Sequence, residues 1–251
     1  MAEPIITVMQ RREFKYIISA EQRRYLEEKL EGHMKLDKYG ITPILSLYYD
    51  TLNYRLIRAS IEKPMFKEKI RLRSYGLATD DSPVFLELKR KYDGIVYKRR
   101  VATTIPFAER FFAKEGDIPA DGQIAREISY FRDYYGTLVP ACLIVYDRAA
   151  YYEPGGDLRL TIDGNPRYRI DDLNLTTSIE GTSLLPEGAS ILEIKVQLAM
   201  PLWLTHILDE GKIYRTSFSK YGEAYKTQAW NIMSERIMQW TPSSILYSLT
   251  H

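Results

Sequence analysis

With one cysteine and three histidines in 251 residues, the chain has little of the usual material for thiol chemistry or nitrogen- and sulfur-ligated metals. The lone Cys142 rules out an intramolecular disulfide, and its setting in the apolar run Leu138 to Val145 points to a buried, inert thiol. His33, His206 and His251 have no mutual spacing that suggests a metal site. Net charge is also scarce, at +2, which argues against a chain that coats nucleic acid by global basicity. No apolar run approaches the ~20 residues of a membrane-spanning helix, and the opening MAEPIITVMQ lacks the basic start and apolar core of a secretory leader. The expected location is the cytoplasm, or the cytoplasmic face of a membrane through a partner. No repeat, low-complexity tract or linker interrupts the sequence, so a single domain over residues 1–251 is expected. Hydrophobic content of 45% supplies enough side chains for a sizeable core.

What the chain does have is charge arranged with a period of two. From Lys67 to Arg100 the sequence reads as three consecutive strands, since successive side chains on a strand point to opposite faces. Lys67, Lys69, Arg71 and Arg73 share one face of the first strand, opposite Glu68, Ile70 and Leu72. Glu87, Lys89 and Lys91 share a face of the second, and Lys98 and Arg100 a face of the third. Ser74-Tyr75-Gly76 with Thr79 to Pro83 breaks the first pair, and Asp93-Gly94 makes a short hairpin turn in the second. The same habit recurs in Arg11/Glu13/Lys15, in Tyr146/Arg148, in Arg159/Thr161/Asp163 and in Glu193/Lys195.

Helices are predicted between these strands. Ser19 with Gln22 makes a capping box ahead of Tyr25, Leu26 and Leu30, and Gly32 ends that helix. A strand is expected at Ile44 to Asp50, and helices at 53–62, from Pro106, at 122–135, at 201–212 and at 218–240, with 171–190 as loop. Helices need a sheet surface to bury against. The fold class is therefore α+β, an antiparallel β-barrel with helices packed outside against the apolar strand faces and the charged faces lining a wet interior. Cations crowded into such an interior repel one another unless a polyanion such as a triphosphate or polyphosphate relieves them. The carboxylates Glu13, Glu87 and Glu193 hinder simple anion binding, yet they suit a divalent cation that bridges phosphates.

The ordered series RREFKY, KIRLR, ELKRK, YKRR, YDR, LRLTID, LEIKV and FSKYG resembles the polyphosphate polymerase domain of the vacuolar transporter chaperone family, within the triphosphate tunnel metalloenzymes. The resemblance runs from about Arg11 to Gly222. It implies a tunnel that binds ATP with manganese or magnesium and passes the γ-phosphate to a growing polyphosphate chain. It also implies phosphate contacts from Lys15, Arg71, Arg73, Lys89, Lys98, Arg148, Arg159 and Lys220, with Glu193 as metal carboxylate. Lys69, Lys91 and Lys195 share faces with these, and Tyr146 offers a hydroxyl two residues before Arg148. Glu13 and Glu87 are second-rank metal candidates. The hydrolytic branch of that superfamily opens with Glu-x-Glu-x-Lys, whereas this chain has Arg11, Glu13 and Lys15, which favours the polymerase over a triphosphatase or cyclase.

Two other classes compete. A single-stranded nucleic-acid binder would present basic strands with aromatics, yet would not need carboxylates on the same faces, so no nucleic acid is expected as partner. A polyphosphate or inositol-polyphosphate sensor would keep the cations without the chemistry. A membrane protein partner is compatible with the family resemblance. Tyr48, Tyr49 and Tyr97 are candidates for stacking on a nucleotide base.

Overall fold

The computed structural model describes residues 12–62, 64–93, 95–118 and 122–228. Arg11, Gly94 and the part of the expected last helix beyond 228 lie outside them. The strands are β1 (Arg12–Ile18), β2 (Lys35–Asp50), β3 (Phe66–Tyr75), β4 (Val84–Tyr92), β5 (Ile95–Thr103), β6 (Val139–Tyr152), β7 (Arg159–Arg169), β8 (Thr182–Ser183), β9 (Ser190–Val196) and β10 (Arg215–Thr216). The helices are α1 (Ala20–Leu30), α2 (Arg55–Ile61), α3 (Ile105–Phe112), α4 (Gln123–Tyr135) and α5 (Leu202–Glu210), and residues 220–228 are helical as well. Ser19 caps α1 as its sequence demands: its hydroxyl accepts from the Gln22 backbone amide at 3.1 Å and the Gln22 side-chain oxygen accepts from the Ser19 backbone amide at 3.0 Å.

All ten strands form one antiparallel sheet, ordered β10-β1-β9-β7-β6-β2-β3-β4-β5, with β8 on β7. Among the described residues the hydrogen-bonded path has two ends and does not close, but the sheet curls strongly. Lys89 on β4 lies within electrostatic reach of Glu13 and Lys15 on β1. Those strands are six spacings apart along the sheet, roughly 29 Å if it lay flat. Only a curled sheet brings them across a common lumen.

The apolar faces look outward, under helices. Leu45, Leu47, Ile70, Leu72, Leu86, Leu88 and Val145 pack with Phe111 of α3 and Ile128 and Phe131 of α4. Tyr16, Ile18, Leu160, Ile162, Leu192 and Ile194 pack with Leu26 and Leu30 of α1 and Leu204 of α5. Each such side chain contributes about 1.5–3 kcal/mol when fully buried. Glu68, on the outer face of β3, sits under this cover, is buried against Arg90 and accepts a 3.0 Å hydrogen bond from Tyr135 of α4.

Strand β2 starts earlier than the sequence predicts. Residues 35–43 are exposed or half-buried and carry Gly40 at φ +61, and the pairing with β6 shifts register between Leu36 and Ile41, so a bulge absorbs the glycine turn inside the strand. Cys142 is buried, and burial pushes its thiol up to about 12.

The segment from 216 to 221 crosses the lumen and ties distant strands together. Lys15 on β1 donates to the Phe218 carbonyl at 3.5 Å, and Lys69 on β3 to the Ser219 hydroxyl at 3.0 Å. Tyr221 stacks on Tyr48 of β2 with ring centres 4.6 Å apart and donates to Asp50 at 2.9 Å. Asp50, with no exposed surface, also accepts the backbone amides of Leu56 and Ile57 at the start of α2. Tyr221, Ala224, Ile57, Ile44 and Ile144 form an apolar cluster with Tyr48 and Tyr146.

Candidate functional site

Alternation aims the odd-numbered residues of β3 and β4 and the even-numbered ones of β5 inward. Register then sets Arg71 opposite Glu87, Glu87 opposite Arg100, and Lys89 between Lys69 and Lys98. Glu87 is almost fully buried at 2% exposure and sits among four cations: Lys98 at 2.7 Å, Arg71 at 2.8 Å, Arg100 at 3.4 Å and Arg73 at 3.6 Å. Burial works against its ionisation, but Arg71, Arg73 and Lys98 hold the carboxyl at about 2. The second-rank expectation of Glu87 as a metal ligand meets an obstacle here, because both oxygens already face guanidinium or ammonium groups. Its physical role in this wall is to hold the cations in place. Arg71 also donates to the Tyr48 hydroxyl at 2.8 Å, and Arg73 to the Tyr146 hydroxyl at 3.2 Å.

The facing wall comes from β6, β7, β9 and β1. Arg148 grips Asp163 through two hydrogen bonds of 2.6 and 2.8 Å, and Lys220 reaches the same carboxylate at 2.5 Å. Asp163 has no exposed surface, and despite that burial Lys220 and Arg148 hold it at about 2. The sequence placed Asp163 on the charged face with Arg159 and Thr161 without giving it a role. Its position in the LRLTID alternation is the signal that could have found it.

Next along this wall, Lys15 lies 3.3 Å from Glu13, and Lys195 lies 3.7 Å from Glu193. Glu13 lies beside Glu193 across the β1–β9 ladder, where Glu13 pairs in register with Lys195 and Lys15 with Glu193. Burial opposes charge on Glu193, yet its surroundings of Glu13, Lys195, Lys15 and Arg148 keep it far below the usual carboxylate range. Burial likewise opposes charge on Lys15, and Glu193 and Glu13 more than offset it, raising its ammonium.

Lys69 and Lys89 are in a different situation. For Lys69, burial and the neighbouring Lys67, Lys89, Lys15 and Arg71 all disfavour the proton and bring the ammonium down to about 7. Lys89 is lowered too, by burial and by Lys15 and Arg71, with Glu13 and Glu193 pulling the other way. The middle of the lumen thus holds more positive charge than its carboxylates neutralise. Tyr146 feels the same field: burial opposes its ionisation, but Arg148 and Arg73 bring its phenol down to about 8.

Two expected contacts stand apart from this centre. Arg159 lies at the start of β7, donates to the carbonyls of Gly156 and Leu158 at 3.2 and 2.9 Å, and pairs in register with Lys195. Lys91 is exposed near the end of β4, opposite Lys67 and Val96. Of the tyrosines considered for base stacking, Tyr48 faces the lumen, but Tyr221 covers it. Tyr49 points outward and stacks on Phe112 with centres 3.6 Å apart, and Tyr97 pairs with Arg90 on the outer face. The period of two decided this, since Tyr49 and Tyr97 are neighbours of inward residues.

No group of three or more His, Cys, Asp or Glu side chains among the described residues could hold a metal ion by itself. The Glu13–Glu193 pair nonetheless fits a divalent cation that takes its remaining oxygens from phosphate, as magnesium commonly does. Among the described residues no helix is long and apolar enough to cross a membrane.

A curled antiparallel sheet whose lumen carries opposed walls of Lys and Arg, two of them short of counter-charge, and one carboxylate pair defines an anion-binding tunnel of the triphosphate tunnel class. The sequence matches the VTC domain over residues 10–228, and the chain belongs to that family. No curated protein matches it. Among solved structures, a candidate adenylate cyclase from Bacillus halodurans superposes with a TM-score of 0.53 at 14% identity, covering 84% of this chain and 96% of its own. One from Vibrio parahaemolyticus gives 0.47 at 10% identity, with 87% and 99% covered. A candidate adenylyl cyclase from Hippeastrum, described as having a dominant triphosphatase activity, gives 0.46 at 19% identity, with 83% and 92% covered.

Proposed function

We propose that this protein is a polyphosphate polymerase that transfers the γ-phosphate of ATP to a growing polyphosphate chain inside the tunnel, working as one domain. The observation that carries the reading is the surplus of cations in the lumen: Arg71, Arg73 and Lys98 already surround Glu87, Arg148 and Lys220 already share Asp163, and Lys69 and Lys89 lie side by side on the adjoining rungs of β3 and β4. A lumen with that surplus binds a chain of phosphates in preference to a neutral or singly charged ligand.

Arg71, Arg73, Lys89 and Lys98 on one wall, and Lys15, Arg148 and Lys220 on the other, hold the triphosphate between them. A terminal oxygen of the acceptor chain attacks the γ-phosphorus in line, the bond to the β–γ bridging oxygen breaks, and ADP leaves with those electrons. Charge spreads over the equatorial oxygens in the transition state, where fixed Arg and Lys stabilise it, so no protein nucleophile is required. The Tyr146 hydroxyl donates to a phosphate oxygen beside Arg148 and Arg73. Manganese or magnesium, held by Glu193 with Glu13 beside it, supplies further neutralisation of phosphate charge when bound. Arg159, Lys195 and Lys91 guide the product along the tunnel toward its ends.

The test is product analysis. Incubated with ATP and manganese, the purified protein should accumulate gel-resolvable polyphosphate and ADP. Release of orthophosphate or pyrophosphate alone would make it a triphosphatase, as described for the Hippeastrum protein, and tight polyphosphate binding without turnover would make it a binding module.

A further inference from the structure

The basic rungs of β3 stop at Arg73, and aromatic residues take over. Phe85 lies directly opposite Arg73 on β4, and Tyr75 is the next lumen-side residue along β3. Their rings meet edge to face with centres 5.7 Å apart. The Arg100 guanidinium sits 3.7 Å above the Phe85 ring and donates to the Tyr75 hydroxyl at 2.9 Å. Tyr75 is 52% exposed, so this cluster is not core but an open surface at the tunnel margin. One strand step of two residues carries Arg73 to Tyr75, roughly 6.8 Å, the next position outward from the phosphate contacts.

We propose that Tyr75, Phe85 and Arg100 form the platform on which the base of a nucleoside triphosphate stacks, with the phosphates running inward past Arg73 to Arg71. The assignment rests on the tunnel being a phosphate site and adds the place of the nucleoside. Tyr75 set edge to face against Phe85, with the Arg100 guanidinium over the Phe85 ring, presents π-surface and a delocalised cation together, the combination that stacks on bases. Stacking of this kind tolerates different bases, which suits a reaction whose chemistry lies entirely in the phosphates.

Equilibrium binding of the β,γ-imido analogue of ATP and of inorganic tripolyphosphate, each with manganese, separates the base from the phosphates. In the full chain, Tyr75→Leu combined with Phe85→Leu should weaken the analogue about tenfold or more and leave tripolyphosphate within about twofold. That second ligand also checks that the variant is folded. Tyr75→Phe, which keeps the ring, should retain the analogue's affinity. Equal losses for both ligands, or an unchanged affinity for the analogue, overturn the platform while leaving the phosphate site standing. A wild-type protein that binds neither ligand removes the phosphate site and the platform with it.

Discussion

Asp163→Asn removes one negative charge from a residue with no exposed surface, leaving Arg148 and Lys220 facing each other across a neutral amide. The carboxyl is held at about 2 against an ordinary value of 3.8, which corresponds to on the order of 2 kcal/mol of stability at neutral pH. Breaking a buried pair by removing one partner has cost about 3–5 kcal/mol in other proteins, because the remaining charge is left uncompensated. The expected loss is therefore roughly 2–4 kcal/mol at pH 7, read from urea unfolding. The folded-state pKa is depressed, so the contribution is present above the unfolded value near 4 and disappears as pH falls toward 2. The gap between wild type and variant should close over that window. A second readout follows from the tunnel's charge. Tripolyphosphate supplies anionic oxygens near Arg148 and Lys220, so its stabilising effect on the unfolding midpoint should be larger in the variant than in the wild type. A variant within about 0.5 kcal/mol of wild type at pH 7, or equal stabilisation of both proteins by tripolyphosphate, would refute the assignment of Asp163 as the shared counter-ion.

Glu193→Gln keeps the side-chain volume while removing the better placed carboxylate of the pair. Metal-free polyphosphate binding should persist or tighten, and synthesis should fall by on the order of a hundredfold; normal synthesis at limiting manganese would move the metal to another residue. Lys69, brought down to about 7 by burial and its cationic neighbours, should take up a proton when a polyanion binds. Tripolyphosphate binding at pH 8 should then take up a proton, visible as buffer-dependent heat, and affinity should fall as pH rises above about 7. Lys69→Met should flatten that dependence, and absence of proton uptake between about pH 7 and 9 would show that the surplus charge is not felt there.

Short-range rules made much of the architecture legible. The period of two assigned Lys67, Lys69, Arg71 and Arg73 to one face before any partner strand was known, and the Ser19–Gln22 pair marked the start of α1. Both depend only on residues within a few positions of each other. The same period, carried one residue further, would have turned Tyr49 and Tyr97 outward, where Phe112 and Arg90 meet them.

Which faces meet was decided by tertiary structure alone. Twist accumulated over many strands brings Lys89 near Glu13 and Lys15, and no local pattern fixes the sum of that curvature. The contacts that give each charge its role join residues far apart in sequence: Lys15 with Phe218, Lys69 with Ser219, Lys220 with Asp163. Sequence alternation could say that Glu87, Asp163 and Glu193 face a charged interior. It could not say that Glu87 is filled by four cations, that Asp163 is shared by Arg148 and Lys220, or that Glu193 lies beside a second carboxylate. A carboxylate's function depends on the charges within a few ångströms of it, and in a curled sheet those charges come from strands the chain reaches only after folding.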